Sequence, residues 1–378
     1  FGAMGGARAA ACPAAVPEPS TWALFLLGAV VLLGSRGKSR AIMLLLLCAL
    51  VAAEQTASAQ FSDIREWTNR NGGVYTFPGN WNPLDFPGVD EAAVFGIDND
   101  YTVELPIGGT TGEVLISRGD VTFDLKPGSS SRTLTVSNNL IIGGEHEATM
   151  TILDGTVSAG NVVVRDGGRL KFERNFPNVS ILNICGDLDI DGGRLSRSGS
   201  DELNLATGSE VTVRNGGDFR STRYRLHQNS TVHVLSGGIF DHTEIQIAGS
   251  NSTGDGTLLI DGPGSYVESG FANTTHYWGV DGHAARVDVT SGATLLVDGE
   301  LNLATEGDGS TADITIAGPG SQFLFPDVGA ELIIGGVNGS ASLTVTDGGF
   351  FQHIGGAGIS KVQIRAGGEI NVTDGGIF

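Results

Sequence analysis

Residues 211–219 read VTVRNGGDF and residues 232–240 read VHVLSGGIF. In each stretch apolar and polar residues alternate and then run into a double glycine. Alternation with a period of two marks a half-buried strand, and Asn-Gly or Asp-Gly supplies the positive φ that a tight reversal requires. The same phrase returns as VVVRDGGRL (162–170), LDIDGGRL (188–195), LLIDGPGSYV (258–267), DITIAGPGSQF (313–323), LTVTDGGFF (343–351) and INVTDGGIF (370–378). Its first glycines at 167, 192, 216, 237 and 262 are spaced 25, 24, 21 and 25 apart. A period of that size means stacked supersecondary units.

A second element precedes several turns: LIIGG at 140–144 and 332–336, and LNLAT at 203–207 and 301–305. Each unit then reads as strand, turn, strand, glycine turn and apolar re-entry. Antiparallel hairpins in a sandwich would also give alternating strands and Asp-Gly turns. A parallel β-helix explains the recurring unit better, because each coil adds one rung to every face. The expected fold is therefore all-β: a parallel, right-handed β-helix of about ten coils. At ~4.8 Å per rung it makes a rod on the order of 50 Å.

Composition agrees with a turn-rich β fold, since 58 glycines stand against 12 prolines in 378 residues. After residue 59 the chain carries 18 basic and 40 acidic side chains. A surface of that sign repels nucleic acid and anionic headgroups, so no nucleic-acid partner is expected. Cys12 and Cys48 lie in the hydrophobic leader, and Cys185 is the one cysteine after it, read as a small buried residue.

The leader has two apolar runs. The first, Trp22 to Gly34, follows Pro17-Glu18-Pro19 and precedes Arg36, Lys38 and Arg40. The second, Ile42 to Ala53, ends in TASAQ, where Ala57 and Ala59 occupy the positions a signal peptidase reads before Gln60. Residues 41–59 are thus expected to be a secretory signal, and the membrane is met only through these leader segments. The first run resembles the PEP-CTERM sorting signal, made of a Pro-Glu-Pro motif, a transmembrane stretch and a basic tail. The resemblance implies export in bacteria that make an extracellular polymeric matrix, although that signal ordinarily ends a chain. The expectation is that residues 1–40 are the tail of another exported protein read together with this one. The alternative is a two-part N-terminal anchor.

Residues 60–110 gather Trp67, Tyr75, Phe77, Trp81, Phe86, Phe95 and Tyr101. They are read as an aromatic cap over the open end of the repeats, with a sugar-stacking platform as the alternative. The pattern from Trp67 through Asn80-Trp81 to Phe95 resembles the opening of exported repeat proteins of the same bacterial type. The array at 111–378, with Gly262, Gly264 and Ser265, Gly318, Gly320 and Ser321, and then Gly335, Gly336, Gly348 and Gly349, resembles the repeat of type V secretion passengers and PEP-CTERM proteins. That resemblance implies a β-solenoid and export, with the array expected to be truncated at DGGIF.

No catalytic, cofactor or metal residues are assigned. Asp166, Asp191, Asp261, Asp347 and Asp374 sit beside glycines, where turn chemistry accounts for them. Arg220, Arg223, Arg225 and His227 form the tightest polar group, read as a solvated face in preference to an anion or uronate site. Seven scattered histidines, including His233 and His242, give a weak metal signal. Calcium is possible at Asp-Gly turns but not established, because neither the glycine-rich nonapeptide nor an EF-hand loop is present. The expected function is an exported, non-enzymatic structural or adhesive protein of the cell surface or extracellular matrix. Its partners would be extracellular polysaccharide or other surface polymers, and the alternative is a carbohydrate-active β-helix enzyme or glycan-binding module.

Overall fold

Alternation dictates which side chains turn inward, and the computed structural model shows the result coil by coil. In the strand Ser340–Thr346, Leu343 and Val345 are fully buried while Thr344 and Thr346 are half-buried. The chain divides into two units, Phe1–Ser62 and Asp63–Phe378. The structure describes residues 63–126, 131–173, 179–197, 202–226, 229–248, 254–270, 274–326, 331–353 and 361–378. The sorting motif at Pro17, Glu18 and Pro19 and the signal-peptidase positions Ala57, Ala59 and Gln60 lie outside them.

The second unit is a parallel β-solenoid of about eleven turns. Each coil presents three faces in chain order. The last complete coil runs from Phe350–His353 on the first face, through Lys361–Ile364 on the second, to Gly368–Val372 on the third. Rungs pair in strict parallel register with the coil before: Phe350 lies on Gln322, Lys361 on Glu331 and Leu343 on Ile314. Tyr266, Thr294, Gln322 and Phe350 follow one another on the first face at equal steps along the chain. The coil is longer here than the spacing of the first glycines upstream.

Some strands run around a corner without a break, and the corner changes along the rod. In Thr133–Ile142 and Thr156–Val164 the strand passes from second face to third. In Asp218–Leu226 and Ile239–Ile247 it passes from first to second. Inside, rings meet edge to face between coils, with centroids 5.3 Å apart for Phe95 and Phe123, 5.3 Å for Phe219 and Phe240, and 5.1 Å for Phe323 and Phe351.

At the N-terminal end, Ile64–Trp67 pairs with Ala92–Phe95 in parallel and with Trp81–Asn82 antiparallel. Trp67, Tyr75, Trp81, Phe95 and Tyr101 are buried against one another, and the Trp81 indole N–H donates to the Tyr75 carbonyl (2.7 Å). None of these five rings offers a face to a sugar. Among the described residues of the segment, Phe77 and Phe86 are the exposed rings. Cys185 is half-buried rather than buried, because it follows Ile184 at the point where the second face ends.

The two glycines of a turn meet two different demands. In the turn 214–217, Asn215 and Gly216 both have positive φ (54° and 78°), and the Gly217 N–H donates to the Arg214 carbonyl (2.8 Å). A Cβ on Gly216 would meet nothing, whereas one on Gly217 would fall onto the Ile190 carbonyl oxygen of the preceding coil. Where Gly-Pro-Gly-Ser replaces the double glycine, a buried serine clips two coils together. The Ser321 hydroxyl accepts from the Gly292 N–H (3.0 Å) and donates to the Ala317 carbonyl (2.7 Å). Ser265 does the same between Gly237 and Asp261.

Gly216→Ala should therefore cost about 1 kcal/mol, the strain of a Cβ at positive φ. Gly217→Ala should cost more, about 2–3 kcal/mol, because the obstacle is backbone held in a ladder. Denaturant melts of the two variants test the order, and equal losses would refute the close-approach argument.

Candidate functional site

Chemistry on a solenoid belongs to outward side chains brought into columns by the register. On the first face one column runs Thr149, Arg169, Arg194, Asp218, Ile239, Tyr266, and the next runs Thr151, Lys171, Ser196, Arg220, Asp241, Glu268. Asp218 is buried beneath two cations, 2.9 Å from the Arg194 Nε and 2.8 Å from the Arg220 Nε. Arg220 reaches Asp241 at 3.7 Å. Asp241 and Glu268 stand on consecutive rungs of one column, and the Tyr266 hydroxyl donates to the Glu268 Oε2 (2.9 Å). Partial burial, followed by the charge of Glu268, raises the Asp241 carboxyl above its ordinary range despite Arg220. Burial beside Glu268 likewise raises the Tyr266 hydroxyl.

This pair is not evident from the spacing of carboxylates in the sequence. Asp241 and Glu268 lie a whole coil apart in the chain, and only the ladder register, invisible in local spacing, joins them. The group at 220–227 is split instead. Arg220 belongs to the first face and the exposed Arg225 to the second, because the strand Asp218–Leu226 turns the corner between them. The Arg223 side chain and His227 lie outside the described residues.

The histidines separate as well. His233 is outward on the third face, 3.6 Å from Glu210, whereas His242 is fully enclosed. The His242 ring packs against Phe219, Tyr224 and Phe240 at centroid distances of 4.8, 5.2 and 4.0 Å, and neither ring nitrogen has a hydrogen-bond partner. Burial, with the nearby Arg197 charge, drives its pKa well below the usual value. On the next coil, His276 is also buried, with Nδ1 3.2 Å from the Ser269 hydroxyl and Nε2 3.0 Å from the Asp298 carbonyl, and burial lowers it too. Among the described residues no three His, Cys, Asp or Glu side chains come together as a metal-ligand set. No helix among them is long and apolar enough to cross a membrane.

Residues 15–40 match the PEP-CTERM protein-sorting motif. The chain therefore carries a protein-sorting motif. The match includes Pro17, Glu18 and Pro19 and the run from Trp22 to Gly34. No curated protein matches the sequence. Among solved structures, the crystal structure of the TibC-catalysed hyper-glycosylated TibA55-350 fragment aligns with 14% identity and a TM-score of 0.32, over 84% of this chain and 99% of that one.

A histidine whose folded pKa lies below its unfolded value leaves stability intact above the unfolded pKa and removes it as pH falls below that point. The solenoid should accordingly lose stability on account of His242 as pH falls below ~6.5, with a smaller share from His276. Melts of the parent and of His242→Phe between pH 7 and pH 5 test this. The variant should show the flatter acid side, and parallel curves would refute it.

Proposed function

We propose that the protein is an exported, non-enzymatic structural or adhesive component of the cell surface or extracellular matrix, displaying side chains in columns along a β-solenoid. What carries the reading is the pairing of a sorting motif at 15–40 with a repetitive solenoid. Inward residues and turn glycines serve coil stacking, which leaves the outward columns to meet matrix polysaccharide or other surface polymers through many weak contacts. Membrane contact is assigned to the leader segments alone. The decisive experiment is the N-terminal sequence and cell fraction of the protein expressed from its own gene. A chain starting at Gln60 outside the cytoplasm, or one held in the membrane by residues 16–40, supports export. An uncleaved chain in the cytoplasm refutes it.

One observation favours a second reading, a carbohydrate-active enzyme. The Asp241 carboxyl, raised by burial and by Glu268, is suited to holding a proton for a leaving group, and Glu268 beside Tyr266 is suited to act as the partnering carboxylate. On this reading the full chain releases reducing ends from a polysaccharide substrate, and Asp241→Asn or Glu268→Gln lowers the rate by about a hundredfold or more. Turnover that survives both substitutions would remove these residues from the chemistry.

A further inference from the structure

The charge of the chain is unevenly distributed. Residues 165–225 hold ten basic and nine acidic side chains, whereas the rest of the chain after residue 59 holds eight basic and thirty-one acidic. The fold concentrates part of this difference on one surface. Arg169 and Lys171 project from the first face on one rung, Arg194 from the next and Arg220 from the one after. Arg169 is exposed, Lys171 half-exposed, and the side chains of Arg194 and Arg220 are 54% and 52% exposed. Asp218, held between the last two guanidinium groups, fixes their direction while leaving half of each side chain open to solvent. The band has boundaries in register. Asp120 lies two rungs before Arg169, and Asp241 and Glu268 occupy the two rungs after Arg220.

We propose that this band of Arg169, Lys171, Arg194 and Arg220 is a docking surface for an anionic polysaccharide of the uronate type, lying along the coil axis. The assignment rests on the proposed function as an exported display rod and names the partner class. Charge complementarity selects a polyanion, and the spacing selects its kind. Cations repeat at the rung distance of about 4.8 Å, which suits a polymer with one carboxylate per sugar. Duplex DNA presents a charge every ~1.7 Å, and a dense polyanion meets the repulsion of the acidic coils on both sides of the band. Paired guanidinium groups also match planar carboxylates in geometry.

The test is binding of the purified full chain to immobilised polygalacturonate, with neutral dextran and duplex DNA as competing surfaces. The parent should be retained on polygalacturonate alone and released as salt rises. Arg169→Ser with Lys171→Ser should weaken retention by about tenfold or more, while Arg286→Ser, a cation of the third face paired with Asp288, should leave it unchanged. Lys171→Glu alone should weaken retention as well, which secures the result if the double variant melts early. Retention indifferent to these substitutions, equal retention on dextran, or tighter retention on DNA would each overturn the proposal. The export reading would survive any of these outcomes, because cell location tests it separately.

Discussion

Everything in this solenoid depends on how closely one coil can approach the next at the glycine corner. A parallel ladder holds backbones about 4.8 Å apart, and at the turn from third face to first there is no room for a Cβ beneath the carbonyl of the coil before. Gly217 under Ile190 is the plainest case, and Gly238 under Val213 and Gly349 under Ile316 repeat it. Once that approach is secured, the strands on all three faces fall into register, and inward residues meet their counterparts on the next coil, as Phe219 meets Phe240 edge to face. The serine form of the corner reaches the same end by a hydroxyl that bonds to both coils.

The same register decides what the outside can do. Residues with no relation along the chain become neighbours across a rung, so the outer surface is composed column by column. Arg194, Asp218 and Arg220 form one grouping of this kind, and Asp241, Tyr266 and Glu268 another. They adjoin on one face, a cationic band next to a carboxylate pair. The second limits how far a polyanion lying along the axis on the first can extend.

How much of this was legible in the sequence follows from what each signal encodes. Alternation in LTVTDGGFF shows which residues turn inward, because period two is local, and the double glycine marks the corner for the same reason. The period shows stacking but not the three faces, since a corner turned by a continuous strand, as in Ile239–Ile247, leaves no glycine to mark it. The Asp241 and Glu268 pairing depends on the length of the intervening coil, which varies along the chain. His242 was equally hidden: it alternates correctly with Phe240 as an inward residue, but nothing local says that an imidazole occupies a place where an aliphatic side chain would cost nothing on protonation.

The even step from Tyr266 to Thr294, Gln322 and Phe350 has a genetic meaning. On the first face of that stretch each rung meets the rung before and the rung after through positions a constant distance apart in the chain, while the strands of the other two faces shift by a few residues between coils. Duplication or loss of one such segment would leave every remaining junction as it was. The length of the molecule could therefore vary by copy number with the first-face ladder kept in register, only the side chains at the one new junction having to fit.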